Sequence, residues 1–342
     1  MTRFIRTAGP DDLGALMDLA KLSGFGFTSL PPDENILAAR LALSTASFSS
    51  QVAPTDAWYT IMLEDSDTGT IDGVAAVRAA VGIERPHFSF RVLTMAQSSS
   101  AIGARFDHQA LVLVNECTGW TEVGSLFLRP EARSGGSGGL LARSRYMLIG
   151  ADASRFSTTV MAELRGWHES DGGCPFWDGV ASKFYRLPFS EADKMVTGTD
   201  GQFILDLAPR HPIYVELLDE ATRSSIGKCH QEGEGAQVML RKEGFQYNDL
   251  IDIFDGGPTV TCPRDGIASI ARAQELYVRI GPVVSGTPHL LSTSTIENFR
   301  AINANAQIDG DNLILERETA DLLRLTNNMR VRATPLNQRM RN

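Results

Sequence analysis

Apolar positions change their spacing several times along this 342-residue chain, and each change marks an element. Phe4 to Thr7 reads as a first strand. Gly9, Pro10, Asp11 and Asp12 supply helix-start chemistry before the periodic Leu13, Leu16, Met17, Leu19 and Ala20. A glycine-bearing turn from Ser23 to Gly26 stops that helix, and Asp33 to Leu43 reads as a second one, entered through Pro31 and Pro32. Trp58 to Glu64 and Ile71 to Val77 form two strands around the turn Asp65 to Thr70, a strong hairpin signal. An apolar run at Ala110 to Val114 and a strand at Glu122 to Leu128 follow. From Gly138 a helix carries Leu140, Leu141, Tyr146, Met147 and Ile149, with Arg143 and Arg145 between them. Thr158 to Leu164 is the next strand.

The texture shifts near Gly198. Arg210 to Tyr214 opens an expected helix running through Leu218, and Gly227 to Gly235 reads as a polar loop around His230. Asp252 to Pro258 ends a strand with a tight turn. The last 70 or so residues alternate β-like runs, Asn312 to Glu316 and Met329 to Ala333, with turns at Asp309 to Asp311 and Thr326 to Asn328. They predict a small β-rich closing subdomain. Pro335 to Asn342 is basic and polar, as a frayed tail would be. No internal repeat is visible.

Composition narrows the function classes. The length suits about two domains, and 43% hydrophobic with 21% charged residues is ordinary for a globular protein. A net charge of -9 argues against nucleic-acid or anionic-membrane partners, which need a surplus of Lys and Arg. A small ligand is expected. No apolar run approaches the roughly 18 residues of a bilayer span, and Met1 to Arg6 leads into a folded pattern, which points to a cytoplasmic protein. Cys117, Cys174, Cys229 and Cys262 are scattered with no Cys-x-x-Cys pair, so neither a metal nor a disulfide is expected. Cys229 adjoins His230, but sequence neighbours point apart on most backbones, which disfavours a nucleophilic dyad.

The chemistry-bearing stretch runs from Ser125 to Leu141, where an apolar strand enters a glycine-rich loop that opens onto a helix. N–H groups at a helix start make an anion site. A Walker loop would end in Gly-Lys-Ser/Thr, and Gly138-Gly139-Leu140 stands there instead. A dinucleotide fingerprint belongs near the start of a βαβ unit, whereas this loop follows some 130 residues of other structure. A flexible Gly/Ser linker is the plain alternative, and the periodic helix that follows argues against it. Arg133-Ser-Gly-Gly136-Ser-Gly138 resembles the Arg/Gln-x-x-Gly-x-Gly/Ala pattern by which GNAT acyltransferases hold the pyrophosphate of coenzyme A. The element order is similar to a GNAT domain too.

Along nearly its whole length the chain resembles the arginine N-succinyltransferase family. The resemblance is carried by Gly24 to Pro31, Leu63 to Gly69, Ser125 to Pro130, Val160 to Gly166, Cys174 to Trp177, Arg210 to Tyr214 and Ile251 to Thr259. It implies an α+β, GNAT-like acyl-CoA N-acyltransferase fold: a mixed central sheet flanked by helices, with a C-terminal extension ending in the β-rich subdomain. The implied domains are 1–197, binding acyl-CoA; 198–270, completing the substrate site; and 271–342, the β-rich part with its basic tail. The implied reaction is succinyl transfer from succinyl-CoA to the α-amino group of L-arginine, in arginine catabolism. No permanent cofactor and no metal are implied, because a thioester is already activated.

By the same resemblance Leu126 contacts succinyl-CoA, with Leu128 on the same splayed strand, and Arg133 with the N–H groups of Gly136, Gly138 and Gly139 holds the pyrophosphate. His230 matches the family's proton-transfer residue. The chain departs from the family just after it, where Gln231 to Gly235 replaces a proline and a threonine, and Glu232 or Glu234 is expected to raise the imidazole's pKa. His211 is the backup. A guanidinium needs carboxylates, and Glu163, Asp252 and Asp255 are the candidates, each also explicable as a solvated or turn-capping acid. Thr28 to Pro31 is a candidate pocket wall. Ornithine or another basic amino acid as acceptor, a non-catalytic acyl-CoA or arginine sensor, and assembly as a homo-oligomer or with a related subunit stay open.

Overall fold

The computed structural model describes residues 2–336 except 25, 26, 28, 85, 190, 193, 194 and 196–201. In chain order its elements begin β1 (Arg3–Thr7), α1 (Leu13–Ser23), α2 (Glu34–Phe48), β2 (Trp58–Asp65) and β3 (Ile71–Arg78). Next come β4 (Ser89–Ser99), β5 (Ala104–Val114), β6 (Thr121–Leu128), α3 (Ser137–Ala151) and β7 (Thr159–Glu163). Then follow β8 (Ile213–Tyr214), α4 (Glu234–Glu243), β9 (Gln246–Ile251) and β10 (Pro258–Pro263). The chain closes with β11 (Gln274–Ile280), β12 (Thr287–Thr293), β13 (Arg300–Asp309), β14 (Asn312–Leu315), α5 (Arg317–Leu323) and β15 (Arg330–Pro335).

Alternation along the strands sorts their side chains onto two faces. Ile61, Leu63, Ala75, Val77, Val160 and Ala162 pack with Leu140, Leu141, Met147 and Leu148 of α3. Met62, Val74 and Phe127 pack instead with Leu16 and Leu19 of α1 and Leu37 and Leu41 of α2. The helix expected to stop at Leu43 continues to Phe48, because its polar residues find partners: Ser44 Oγ accepts the Thr60 N–H and Ser47 Oγ that of Trp58.

Among the described residues all fifteen strands form one connected sheet. The strands β12, β15, β11, β14 and β13 run in that order, and β12 also pairs β13, so the β-rich part expected after residue 271 closes on itself as a five-stranded ring. Leu276, Val278, Leu291, Leu313, Leu315 and Val331 fill it. Through β13 it pairs with β1 and so joins the main sheet. The expected boundary at 197/198, and the tail beyond 336, lie outside the described residues.

Three sequence expectations are corrected. A second strand, β4, precedes the run at Ala110, and its pairing with β5 runs from Ser89↔Val114 to Ser99↔Ala104. Beyond Val92 most of β4 is exposed and lacks an apolar alternation to betray it. The helix expected from Arg210 is instead the short strand β8 on the edge of β5, followed by a 3-10 turn at Val215–Leu217. Pro212 disfavours helical geometry at His211, and β5 offers an unpaired edge. The loop expected through Gly235 ends early, in a 3-10 turn at Gln231–Gly233 and then α4. Acidic Glu232 and Glu234 sit in those first turns, where the helix dipole favours them.

Candidate active site

The site begins with a fault in β6. Val123 packs on the α3 face and Phe127, four residues on, packs on the α2 face, so the strand's alternation changes phase between them. The cause is a bulge: Ser125 has φ 50, and the register against β3 shifts between Val74↔Phe127 and Ala76↔Gly124. Ser125 Oγ donates to the Ser29 carbonyl at 2.9 Å, tying the bulge to the segment before α2. Thr28, the first residue of the candidate pocket wall, lies outside the described residues.

On its other edge β6 runs parallel to β7 but pairs with it only at Thr121↔Val160 and Glu122↔Met161. Beyond Glu122 the two strands splay. The β6 backbone from Gly124 to Leu128 thus has no β7 partner among the described residues, and Leu126 and Leu128 lean toward the α3 side, partly exposed. The glycine loop closes the end of this gap. Gly135 and Gly136 take φ 65 and 84, Gly136 is the N-cap of α3, and a Cβ on Gly135, Gly136 or Gly139 would meet open space. First-turn N–H groups have no intrahelical partner. Arg3 braces this end, reaching Ser137 Oγ at 3.1 Å and Asp72 at 2.6 Å. Arg133 is exposed beside the loop, its guanidinium carbon 5.9 Å from the Phe127 ring.

The α2 face of the splay is charged. Arg78 and Glu122 are cross-strand partners, and Glu163 ends β7 on the same face. His87 Nε2 lies 2.9 Å from Glu163 Oε1, and the two side chains keep 22% and 27% exposure, so this is a recess and not a sealed core. Burial opposes the His87 charge, but Glu163, Glu122 and Asp252 outweigh it and raise its pKa to about 9. Burial likewise works against the Glu163 charge, and His87 nevertheless holds it below the usual carboxylate value. For Glu122 the balance goes the other way: burial and Glu163 push it up, outweighing the pull of His87, Arg78 and Arg40.

The turn after β9 adds two more acids. Asp252 Oδ1 accepts the N–H groups of Phe254 and Asp255, at 2.7 and 2.9 Å. Asp255 accepts those of Gly166 and Gly257, at 2.6 and 2.9 Å. Gly166 has to be glycine, since a Cβ there would lie 2.2 Å from the Asp255 carbonyl oxygen. Both acids therefore cap the turn. Burial, then Asp255 and Glu163, raise Asp252 well above the ordinary carboxylate range; burial also raises Asp255, against the pull of its two N–H donors. Around them the buried Tyr185 Oη, Thr259 Oγ1 and His168 Nε2 reach no hydrogen-bond partner among the described residues.

His230 arrives at the C-terminal end of β7. Its N–H donates to the Arg165 carbonyl at 2.8 Å, and Cys229 bridges to Gly166. The imidazole caps the following turn, Nδ1 accepting the Glu232 N–H at 3.2 Å, which leaves the proton of the neutral ring on Nε2. Its ring stands edge-on to His168 at 5.9 Å. The expected upward shift is reversed: burial and Arg165 lower the His230 pKa and outweigh Glu232, whose carboxylate is 4.0 Å away and itself exposed. Cys229 is a buried thiol raised by burial to about 11 and is no nucleophile.

Glu163, Asp252, Asp255 and His230 thus converge, with Leu126 and the loop on the far side of the splay. His211 does not join them. It is exposed, just before β8, which lies four strands out from β10, about 19 Å at ordinary strand spacing. The sequence reading missed Arg78, His87, Glu122 and His168. A charged residue at Glu122, inside an apolar strand, was a usable signal; for His87 and His168 there was none.

The family described as arginine N-succinyltransferase beta subunit matches residues 3–269, and its C-terminal domain matches 274–335. The chain belongs to this arginine N-succinyltransferase family. A Citrobacter koseri protein named arginine N-succinyltransferase is 36% identical over 334 residues, 97% of each chain, and one of that name from Escherichia coli is 35% identical over the same span. The structure of arginine/ornithine succinyltransferase subunit AI from Pseudomonas aeruginosa superposes with a TM-score of 0.89, at 31% identity, covering 98% of this chain and 99% of that one. That structure thus shares the architecture described above, a mixed sheet flanked by helices with a β-rich C-terminal part.

Proposed function

We infer that this chain transfers the succinyl group of succinyl-CoA to the α-amino group of L-arginine, giving N2-succinyl-L-arginine and CoA in arginine catabolism. The donor half rests on the family and on an opened β6 edge leading to a glycine-started helix. The observation that carries the acceptor half is the acidic recess: Glu122, Glu163, Asp252 and Asp255 gather beside the splay, burial is the main cause that raises three of them above free carboxylates, and a positive charge seated there would offset that cost. A guanidinium supplies that charge.

In this reading the β6 main chain at Leu126 and Leu128 pairs with the pantetheine arm, and Arg133 with the Gly136, Gly138 and Gly139 N–H groups holds the pyrophosphate. Glu163, Asp252 and Asp255 draw the guanidinium. The amine nitrogen attacks the thioester carbon and the carbon–sulfur bond breaks. His230 offers its Nε2 proton to the departing sulfur, and the proton shed by the amine replaces it. Residues 1–197 bind the acyl-CoA, 198–270 complete the acceptor site, and 271–342 close the sheet. The substrates place the activity in the cytoplasm. The relatives' descriptions as subunits support association, with a second copy or with a related subunit, and the β4–β5 arm offers exposed Ile102 and Phe106 to it.

Thiol release from purified protein, crossing succinyl-CoA and acetyl-CoA with arginine, ornithine and lysine, tests the function. Arginine with succinyl-CoA is expected to be the fastest pair. The Pseudomonas description names ornithine as well, which makes it the second acceptor to try. Tight acyl-CoA binding without release from any pair leaves a sensor and ends the enzyme reading.

A further inference from the structure

One cation beside the splay is not used by the acceptor site. Arg40, on α2, is half-buried, with its guanidinium carbon 4.9 Å from the Trp58 ring. Its Nη1 donates to the Ser29 carbonyl at 2.6 Å. A guanidinium has five N–H donors, and no carboxylate stands at ion-pair distance from Arg40 among the described residues. Burial makes its charge costly; Glu122 relieves this at longer range, while Arg78, a second cation, adds to it. A sheltered cation without a counter-ion is completed by an anionic ligand.

Position indicates which anion. The Ser29 carbonyl that holds Arg40 also holds Ser125 Oγ, so Arg40 Nη1 lies within about 5.5 Å of the β6 bulge. Ser29, Arg40, Trp58 and Ser125 line one small recess there, of about 10 Å³, room for a water-sized group. In a succinyl thioester the terminal carboxylate stands three carbon–carbon bonds beyond the carbonyl carbon, a reach of about 4–5 Å. A thioester resting against the opened β6 edge therefore brings its carboxylate to Arg40.

We propose that Arg40 binds the terminal carboxylate of the acyl donor and thereby selects a succinyl group over an uncharged chain of equal length. This rests on the succinyl-transfer reading and adds its donor specificity. The other carboxylate in the reaction, on the acceptor's α-carbon, is the competing occupant.

The test compares succinyl-CoA with butyryl-CoA, its uncharged counterpart, on wild type and on Arg40→Gln, which keeps a polar amide at the position without the charge. The kcat/KM preference for succinyl should collapse by about 10²-fold in the variant. An unchanged preference overturns the proposal, however far total activity falls. So does a loss confined to the KM for arginine, which would give Arg40 to the acceptor. Wild type inactive with both donors would instead sink the transfer reading itself. If melting curves show Arg40→Gln unfolded, Arg40→Lys is read in its place: it should retain at least a tenth of the wild-type preference, and none at all overturns the assignment.

Discussion

The two faces of the central sheet are made from the same strands and do opposite work. On the α3 side, β2, β3 and β7 present Ile61, Leu63, Val77, Val160 and Ala162 to a helix that seals them from water. One residue out of phase, β3, β6 and β7 present Arg78, Glu122 and Glu163 to a recess that water reaches. The contrast shows why the strands look apolar yet carry a site: alternation allows one ribbon to be a core on one side and a charged wall on the other. The β6 bulge sharpens the difference, because it moves Phe127 across to the α2 side.

Substitutions on the two faces should therefore separate stability from turnover. Leu148→Ala, at a fully buried α3 position, should cost about 2–5 kcal/mol of unfolding free energy and leave kcat/KM per folded molecule near wild type; denaturant melts paired with kinetics measure both. A large kinetic loss would mean the faces are not independent. His230→Ala should do the reverse, lowering kcat by about 10²-fold with little change in melting temperature, since the ring's cap on Glu232 is exposed. Unchanged turnover would move proton transfer elsewhere. A smaller effect is expected for Asp252→Asn, a rise of about 10-fold in the KM for arginine with the KM for succinyl-CoA unaltered.

The smallest effect concerns pH. His87 has a folded pKa of about 9 against an ordinary 6.5, so its pairing stabilises the fold fully below pH 6.5 and is lost as pH rises through 9. Thermal midpoints across that window should fall more steeply for wild type than for His87→Gln. Parallel slopes would show that the Glu163 contact contributes nothing.

Much of this was legible beforehand. The hairpin around Asp65 to Thr70, the strand entering the glycine loop and the tight turn at Asp252 were marked by local spacing and turn chemistry, which depend on neighbours a few residues apart. The elements misread were those whose conformation depends on distant partners: β8 exists because β5 leaves an edge free, and α2 outruns its apolar pattern because Ser44 and Ser47 serve β2. His230 illustrates the same limit within the site. Glu232 is adjacent in sequence and was expected to raise its pKa, but burial and Arg165, placed by the end of β7, prevail.

By itself, then, the sequence determined the elements around the hairpin and the glycine loop, the family and the residues that distinguish the chain from an NTPase or a dinucleotide binder, because these are written in short-range pattern and residue type. Only the tertiary structure decided that β6 and β7 part after Glu122, that His87 pairs with Glu163 and that His211 stands apart from His230. Those outcomes depend on strand register and on burial. Both arise when segments far apart in the chain are packed together, and neither is encoded at any one position.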